Sequence, residues 1–440
     1  MTMKTSMEEI LKPILKQDEL GVPSSIITDL VFRLLFNEGD VNVARFSEVL
    51  RLHAQLLDDV LARMQQEHLV EVSKTGQIGR LSYTYTLTEA GTNRARDALE
   101  RSQYIGPVPV NIETYKAALM FQTSDRADIS PQSVKNALKF LILPDNFHRR
   151  VGPAVSARSS LFLYGPPGNG KTTISQALAK LLAGSEPIYI PYALVSGGQI
   201  IQIYDPLLHI PWEDKFPGMG RDLSGSGSSK TGQFSKKDQR WGLFQRPGVM
   251  AGGELTMESL DLRYDPIAKF YEAPLQLKAN GGMLLIDDFG RQRMTPQELL
   301  NRWIVPLESG FDFLRMQTGQ TIEIPFRQLI IFATNLDPSD LVDAAFMRRI
   351  QMKVEVGGPD EKLFYQIFTE MCKINNVPFD KDGFMHLLSK WYRNGSQVMQ
   401  AVHPRDILNT LVAICEYEGI PPRLTPELLD EACASYFVKM

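Results

Sequence analysis

The spacing of apolar and polar positions changes several times along this 440-residue chain. Ile26, Ile27, Leu30, Val31, Leu34 and Leu35 recur at helical intervals, and Ser24-Ser25 stand where a helix cap is expected. A short helix is predicted around Ala44–Leu50. A third runs from about Ala54 to His68, with Leu56, Leu57, Val60, Leu61 and Met64 on one side. The pattern then becomes strand-like at Leu69–Ser73 and Leu81–Leu87, around a Lys74-Thr75-Gly76-Gln77 turn. Thr88-Glu89-Ala90-Gly91 opens another helix to about Gln103. Ile105-Gly106-Pro107-Val108-Pro109-Val110 reads as an extended connector, because proline disfavours helix in the residue before it. Leu161–Tyr164, Met283–Ile286 and Gln328–Phe332 are short apolar runs of the kind buried parallel strands require. The stretch from Trp212 to Gly242 reads as a Gly/Ser/Lys loop. From Pro359 the pattern is helical to the end, over Glu361–Lys373, Lys381–Trp391, Pro404–Tyr417 and Pro426–Phe437.

These elements imply an α/β protein in three unequal parts: an N-terminal unit with its connector (1–110), a core with a parallel sheet (130–355) and a helical C-terminal lid (356–440). The helix, helix, helix, hairpin, helix order of the first part resembles a winged helix-turn-helix domain.

Two motifs carry chemistry. After the run Leu161–Tyr164 comes Gly165-Pro166-Pro167-Gly168-Asn169-Gly170-Lys171-Thr172-Thr173, and then a helix. This is the complete strand–GxxxxGK[ST]–helix pattern. Glycines let the backbone wrap around phosphate with N–H groups turned inward at a helix N-terminus. Lys171 is expected on the β- and γ-phosphates of a nucleotide, and Thr172 on Mg²⁺. The second motif is the run Met283–Ile286 ending in Asp287-Asp288. A strand beside the phosphate loop delivers carboxylates to the crevice where parallel sheets bind ligands. Asp287 is assigned to Mg²⁺ through water, and Asp288 to orienting the attacking water.

On these motifs the chain, over about residues 130–440, resembles the AAA+ ATPases. Their acidic strand usually ends Asp-Glu, so Asp288 is one methylene short and implies slower turnover. The resemblance makes Ala333-Thr334-Asn335 the sensor-1 strand, with Asn335 on water or the γ-phosphate. Ala345-Phe346-Met347-Arg348-Arg349-Ile350 resembles the arginine-finger segment, with Arg349 the first choice and Arg348 the second. Ala401-Val402-His403-Pro404-Arg405 resembles the start of the sensor-2 helix, with Arg405 facing the nucleotide. A finger acting in trans implies a homo-oligomer, a hexameric ring in this family. Thr295-Pro296-Gln297-Glu298 forms a capping box, and Phe311–Met316 with Thr321–Ile324 reads as the presensor-1 hairpin. Residues 192–278 are expected to hold an insertion. Lys278-Ala279-Asn280-Gly281-Gly282 looks like the AxGG approach of bacterial enhancer-dependent activators, but their GAFTGA loop is absent, so a sigma-factor role is not implied. Gly252-Gly253-Glu254-Leu255-Thr256 reads as a plain turn.

Composition narrows the partners. Forty-seven basic against fifty-one acidic residues give −4, which excludes a uniformly basic polyanion binder. The N-terminal unit is no exception: nine basic and eleven acidic residues lie between 24 and 103, and the presumed recognition helix carries Asp58 and Asp59. DNA affinity rests largely on phosphate neutralisation, so a protein partner is favoured over DNA. A DNA-associated ATPase and a slow nucleotide switch or scaffold stand as alternatives to an ATP-driven protein remodeller. No apolar run reaches the ~20 residues of a membrane span. The cysteines, Cys372, Cys415 and Cys433, are odd in number and far apart, which fits a reduced, cytoplasmic setting. The sequon Asn394-Gly395-Ser396 is then a chance match, and the six histidines show no metal-ligand spacing.

Overall fold

In the computed structural model, residues 6–75, 82–125, 127–212, 237–341, 347–395 and 397–437 are described. Gly76, Gln77 and Leu81 of the predicted hairpin, most of the 212–242 loop, and Ala345-Phe346 lie outside them.

After a one-turn helix α1 (Met7–Ile10), the N-terminal unit comprises α2 (Ser24–Glu38), β1 (Val41–Asn42), α3 (Val43–Leu50) and α4 (Ala54–Gln66). It continues through β2 (Val70–Lys74), β3 (Thr84–Leu87) and α5 (Glu89–Arg101). The three strands form an antiparallel sheet in the order β1-β3-β2. Ile27, Leu30, Phe46, Leu57, Leu61 and Tyr85 fill its core. The cap of α2 is Pro23 rather than either serine; Ser24 is already the first helical residue. Buried Arg33 fastens the unit, its guanidinium donating to the Ala98 carbonyl at 3.1 Å and the Tyr104 carbonyl at 3.3 Å.

The connector is not a free leash. Val108 is buried and its N–H donates to the Leu50 carbonyl. Residues Val110–Asn111 then form β4, which leads into α6 (Ile112–Gln122). β4 is the edge of a second sheet, ordered β11-β12-β8-β7-β4, made with β7 (Ala193–Ser196), β8 (Gln199–Gln202), β11 (Arg263–Asp265) and β12 (Phe270–Glu272). Ala193, Val195 and Ile200 of this sheet belong to the same apolar cluster as the N-terminal unit. An antiparallel pair, β6 (Ile188–Pro191) with β9 (Trp241–Phe244), flanks it.

The central core is a five-stranded, all-parallel sheet in the order β10-β13-β16-β5-β17. Its strands are β5 (Ser160–Tyr164), β10 (Gly248–Ala251), β13 (Met283–Ile286), β16 (Leu329–Thr334) and β17 (Met352–Glu355). Alternate residues face opposite layers, as the two-residue strand period dictates. Leu161, Leu163, Leu285 and Ile331 pack with α7 (Pro131–Ala137), α8 (Phe147–Ala157) and α9 (Lys171–Ala183). Phe162, Leu284, Ile330 and Phe332 meet Trp303 and Leu299, which lie on a helix introduced by the short α10 (Leu275–Lys278) and β13: α11 (Pro296–Ser309), whose capping box is formed as expected. The chain is therefore mixed α/β with a parallel sheet.

Two expectations change. Residues 192–278 are not one insertion, because β10 inside them is an edge strand of the core sheet; the added material lies on both sides of it. The acidic strand β13 does not touch the phosphate-loop strand β5 either, since β16 lies between them. The predicted hairpin is present as β14 (Phe311–Arg315) and β15 (Thr321–Pro325). Its residues Leu314, Met316, Ile322 and Ile324 pack against Tyr115 and Ile201 of the second sheet's layer.

The C-terminal part comprises α12 (Glu361–Ile374), α13 (Lys381–Leu387), a π-helical turn at Leu388–Arg393, α14 (His403–Glu418) and α15 (Pro426–Tyr436). Phe364, Phe368, Phe384, Ile407 and Leu411 fill its core, and the three cysteines are free thiols buried among them. Among the described residues no helix is long and apolar enough to cross a membrane.

Candidate nucleotide site

β5 delivers the chain into a loop whose glycines take conformations closed to most residues: φ is 132° at Gly165, 75° at Gly168 and 84° at Gly170. Gly170 is the N-cap of α9, so the first-turn N–H groups of that helix open toward the loop's concavity. Lys171 is the first helical residue and is buried. Its Nζ donates to the Gly165 and Pro166 carbonyls at 2.7 and 2.8 Å. Burial pushes the Lys171 amine down to about 8, against the pull of Asp288 and Asp287. Thr172 Oγ1 donates to Asp287 Oδ1 at 3.1 Å, joining the phosphate loop to the end of β13. Thr173 follows on the first turn of α9.

The second carboxylate is reached by a sharp backbone turn. Asp288 has φ 48° and is exposed, and its Oδ1 accepts from Asn335 Nδ2 at 3.0 Å. Asn335 is placed there because β16 runs beside β13. The turn is tied by Gln292, whose Nε2 donates to the Asp287 and Asp288 carbonyls at 2.8 and 3.2 Å while its Oε1 accepts from the Gly290 N–H. Sequence reasoning passed over Gln292, because nothing but its place in the turn marks it. Thr334 Oγ1 donates to the Phe289 carbonyl, so it braces the turn rather than facing ligand. Thr172 and Asp287 supply two hard oxygen atoms at one point, a donor set suited to Mg²⁺, which keeps most of its shell for water and phosphate. Glu254 accepts from the Gly252 N–H and makes the local turn expected of that segment.

The arginines stand apart from this cluster. Arg349 Nε donates to Glu308 Oε1 on α11 at 2.6 Å, and Arg348 is exposed. Arg405 is exposed and pairs with Asp406 at 2.8 Å. The C-terminal helices meet the loop through residues just before Arg405. The Val402 N–H donates to the Gly168 carbonyl at 2.9 Å, and the Ala401 N–H donates to Asn169 Oδ1 at 3.0 Å. Asn169, expected among the phosphate-cradling residues, therefore also spans from the loop to the C-terminal helices. No spacing rule could have revealed this link across more than two hundred residues. Beside Asn169 lies a cavity of about 250 Å³ whose lining combines apolar Leu143, Phe147, Val356 and Ala401 with the charged Arg150 and Glu355, the mixture of apolar wall and polar groups common to ligand pockets.

A domain of unknown function, DUF8689, matches residues 360–435, which make up the C-terminal helices. No curated protein matches the chain. Among solved structures, NtrX from Brucella abortus in complex with ADP is 13% identical, with a TM-score of 0.38, over 77% of this chain and 65% of that one. The chain thus spans less than two thirds of that NtrX chain. NtrX in complex with ATP is 13% identical with a TM-score of 0.39, over 87% of this chain and 76% of the other. A variant of RuvB from Thermotoga maritima is 14% identical with a TM-score of 0.33, over 70% of each chain.

Proposed function

We propose that this chain is a AAA+ ATPase that hydrolyses ATP to ADP and phosphate with Mg²⁺ and uses the cycle to remodel a macromolecular partner, a protein. The observation that carries the reading is the meeting of Thr172 and Asp287 at 3.1 Å, next to Lys171 at the head of α9. Lys171 leaves its loop carbonyls for the phosphates, and Gly165 to Gly170 cradle them with Thr173. Thr172 and Asp287 hold Mg²⁺, which when bound neutralises charge on the phosphate oxygens. Asp288 accepts a proton from the attacking water, and Asn335 fixes the Asp288 carboxylate. Arg349, or Arg348 beside it, reaches a neighbouring subunit's γ-phosphate in a hexameric ring, with Glu308 holding Arg349 until then. Arg405 reports nucleotide state to the lid. The N-terminal unit is assigned as a winged helix that recruits the partner, and the chain works in a reduced, cytoplasmic setting. Because Asp288 is short and already engaged by Asn335, slow turnover of a nucleotide switch is the second reading.

Nucleotide binding and phosphate release by the wild type and single variants test both. Lys171→Ala should lose binding, whereas Asp287→Ala and Arg349→Ala should bind but not hydrolyse. Absence of phosphate release from wild type, with Asp287→Ala indistinguishable from it, would discard the ATPase.

A further inference from the structure

The helix pair α7–α8 carries a charge that runs against the rest of the molecule. Between residues 131 and 150 stand Lys135, Lys139, Arg149 and Arg150 against a single acid, Asp145, in a chain whose net charge is −4. All four cations are exposed, and none forms an ion pair with a described carboxylate. Two adjoining hollows of about 950 and 590 Å³ share Lys135, Asn146 and His148 as lining and together make a groove along the pair. Arg149 lines the first hollow and Lys139 the second. Phe140 lines neither hollow itself but stands between Lys139 and Leu141, which line the second, and it is 65% exposed. The N-terminus of α8 opens in the same groove at Asn146, whose side chain does not cap it, so the positive end of the helix dipole adds to the field.

We propose that this groove binds single-stranded nucleic acid. Unpaired cations that track a backbone, combined with an exposed aromatic ring on which a base can stack, are the two components such binding requires. An acidic protein segment would use the cations but has no need of the ring. Duplex DNA hides its bases from a ring at the groove's edge. The proposal is independent of catalysis: Lys135, Lys139, Phe140 and Arg149 have no part in the nucleotide site, whereas Arg150 also lines the cavity beside Asn169 and is left unaltered. It also separates nucleic-acid binding from the N-terminal unit, whose charge is unfavourable to it.

The test is fluorescence anisotropy of a labelled oligodeoxythymidine with the full-length protein. Binding should weaken with salt, with a slope of log K against log[salt] near −2 for about three neutralised phosphates. Lys135→Glu/Lys139→Glu/Arg149→Glu should weaken it more than about tenfold while ADP binding is retained. Phe140→Ala, which leaves every charge in place, should weaken it roughly 5- to 100-fold. Lys171→Ala should bind the oligonucleotide as wild type does. The proposal is overturned if the triple variant binds like wild type. It is equally overturned if polyglutamate of matched charge competes as well as unlabelled oligonucleotide, which would assign the groove to an acidic protein. Complete displacement by ATP would make it the mouth of the nucleotide site and also overturn the proposal.

Discussion

Asp288 occupies a position where the resemblance leads one to expect glutamate, and its backbone gives a reason for the shorter acid. At φ 48° a residue sits in the left-handed region, where aspartate and asparagine are enriched because their short side chains bond locally. Its partner is Asn335, and the two share one hydrogen bond. Asp288→Ala and Asn335→Ala should each lower the rate of phosphate release by roughly 10²-fold, and the double variant should lose little more than either. Nucleotide affinity should stay unchanged in all three, as titration of a fluorescent analogue would show. Lys171 makes a second prediction. Its amine titrates near 8 in the free protein, and phosphate binds the ammonium form. Affinity should therefore be level below pH 8 and fall as pH rises through it, approaching about tenfold per unit. Lys171→Arg should flatten that profile, since guanidinium stays charged. Lys171 and Asp288 stand out in the sequence because each lies in a contiguous motif with its own chemistry, whereas Asn335 is singled out only by the resemblance to the AAA+ ATPases. Gln292 and Glu308 do not stand out, since a lone polar residue on a turn or a helix reveals its partner only after folding.

At the scale of elements, the contact between loop and lid is the less expected feature. A methyl group on Gly168 would stand 2.6 Å from Gln400 Oε1 and 2.7 Å from Val402 Cγ1, whereas one on Gly170 would meet nothing within 4 Å. Both glycines have positive φ, so both alanine variants bear similar backbone strain. The difference between them reports the lid contact. Gly168→Ala should weaken nucleotide binding more than Gly170→Ala does, and it alone should speed amide hydrogen exchange at the start of α14. Equal effects would reduce the contact to mere adjacency. A helix with a periodic face, such as α14, is visible in the sequence at nearly its observed bounds, and the capping box marks the start of α11. β10 is not visible, because only Val249 and Ala251 of its four residues are buried and its membership depends on pairing with β13. The intervening position of β16 is hidden for the same reason: apolar runs identify strands, but lateral order is set by packing.

For the whole molecule, Arg240 marks how the parts are joined. It is 2% exposed, chelates Asp238 with contacts down to 2.7 Å, and donates to the Pro109 and Leu20 carbonyls, from the connector and the N-terminal segment. Arg240→Ala would strand Asp238 in the seam without its counter-charge, and breaking such a pair costs about 3–5 kcal/mol. Urea unfolding followed at the N-terminal unit should show a loss of that order; a loss below about 1 kcal/mol would mean the unit is held by its own core alone. The pattern of elements divides the chain into three parts, but the apolar cluster shared between the N-terminal unit and the second sheet has no signature in the sequence. The proline-rich connector reads as a spacer, yet its Val108 N–H is bonded to the Leu50 carbonyl and its last residue, Val110, begins strand β4.

That shared cluster bears on how the protein is made. A nascent chain that has reached Tyr104 has all the helices of the N-terminal unit, but not Ala193, Val195 or Ile200, which complete its apolar cluster. Roughly 100 further residues must leave the ribosome first, a delay of about 5–20 s at ordinary elongation rates. Strand β4 waits in the same interval for β7, its neighbour in the sheet. The N-terminal unit is thus finished well after its own helices have emerged, and during the wait it offers chaperones an apolar face that the mature protein covers.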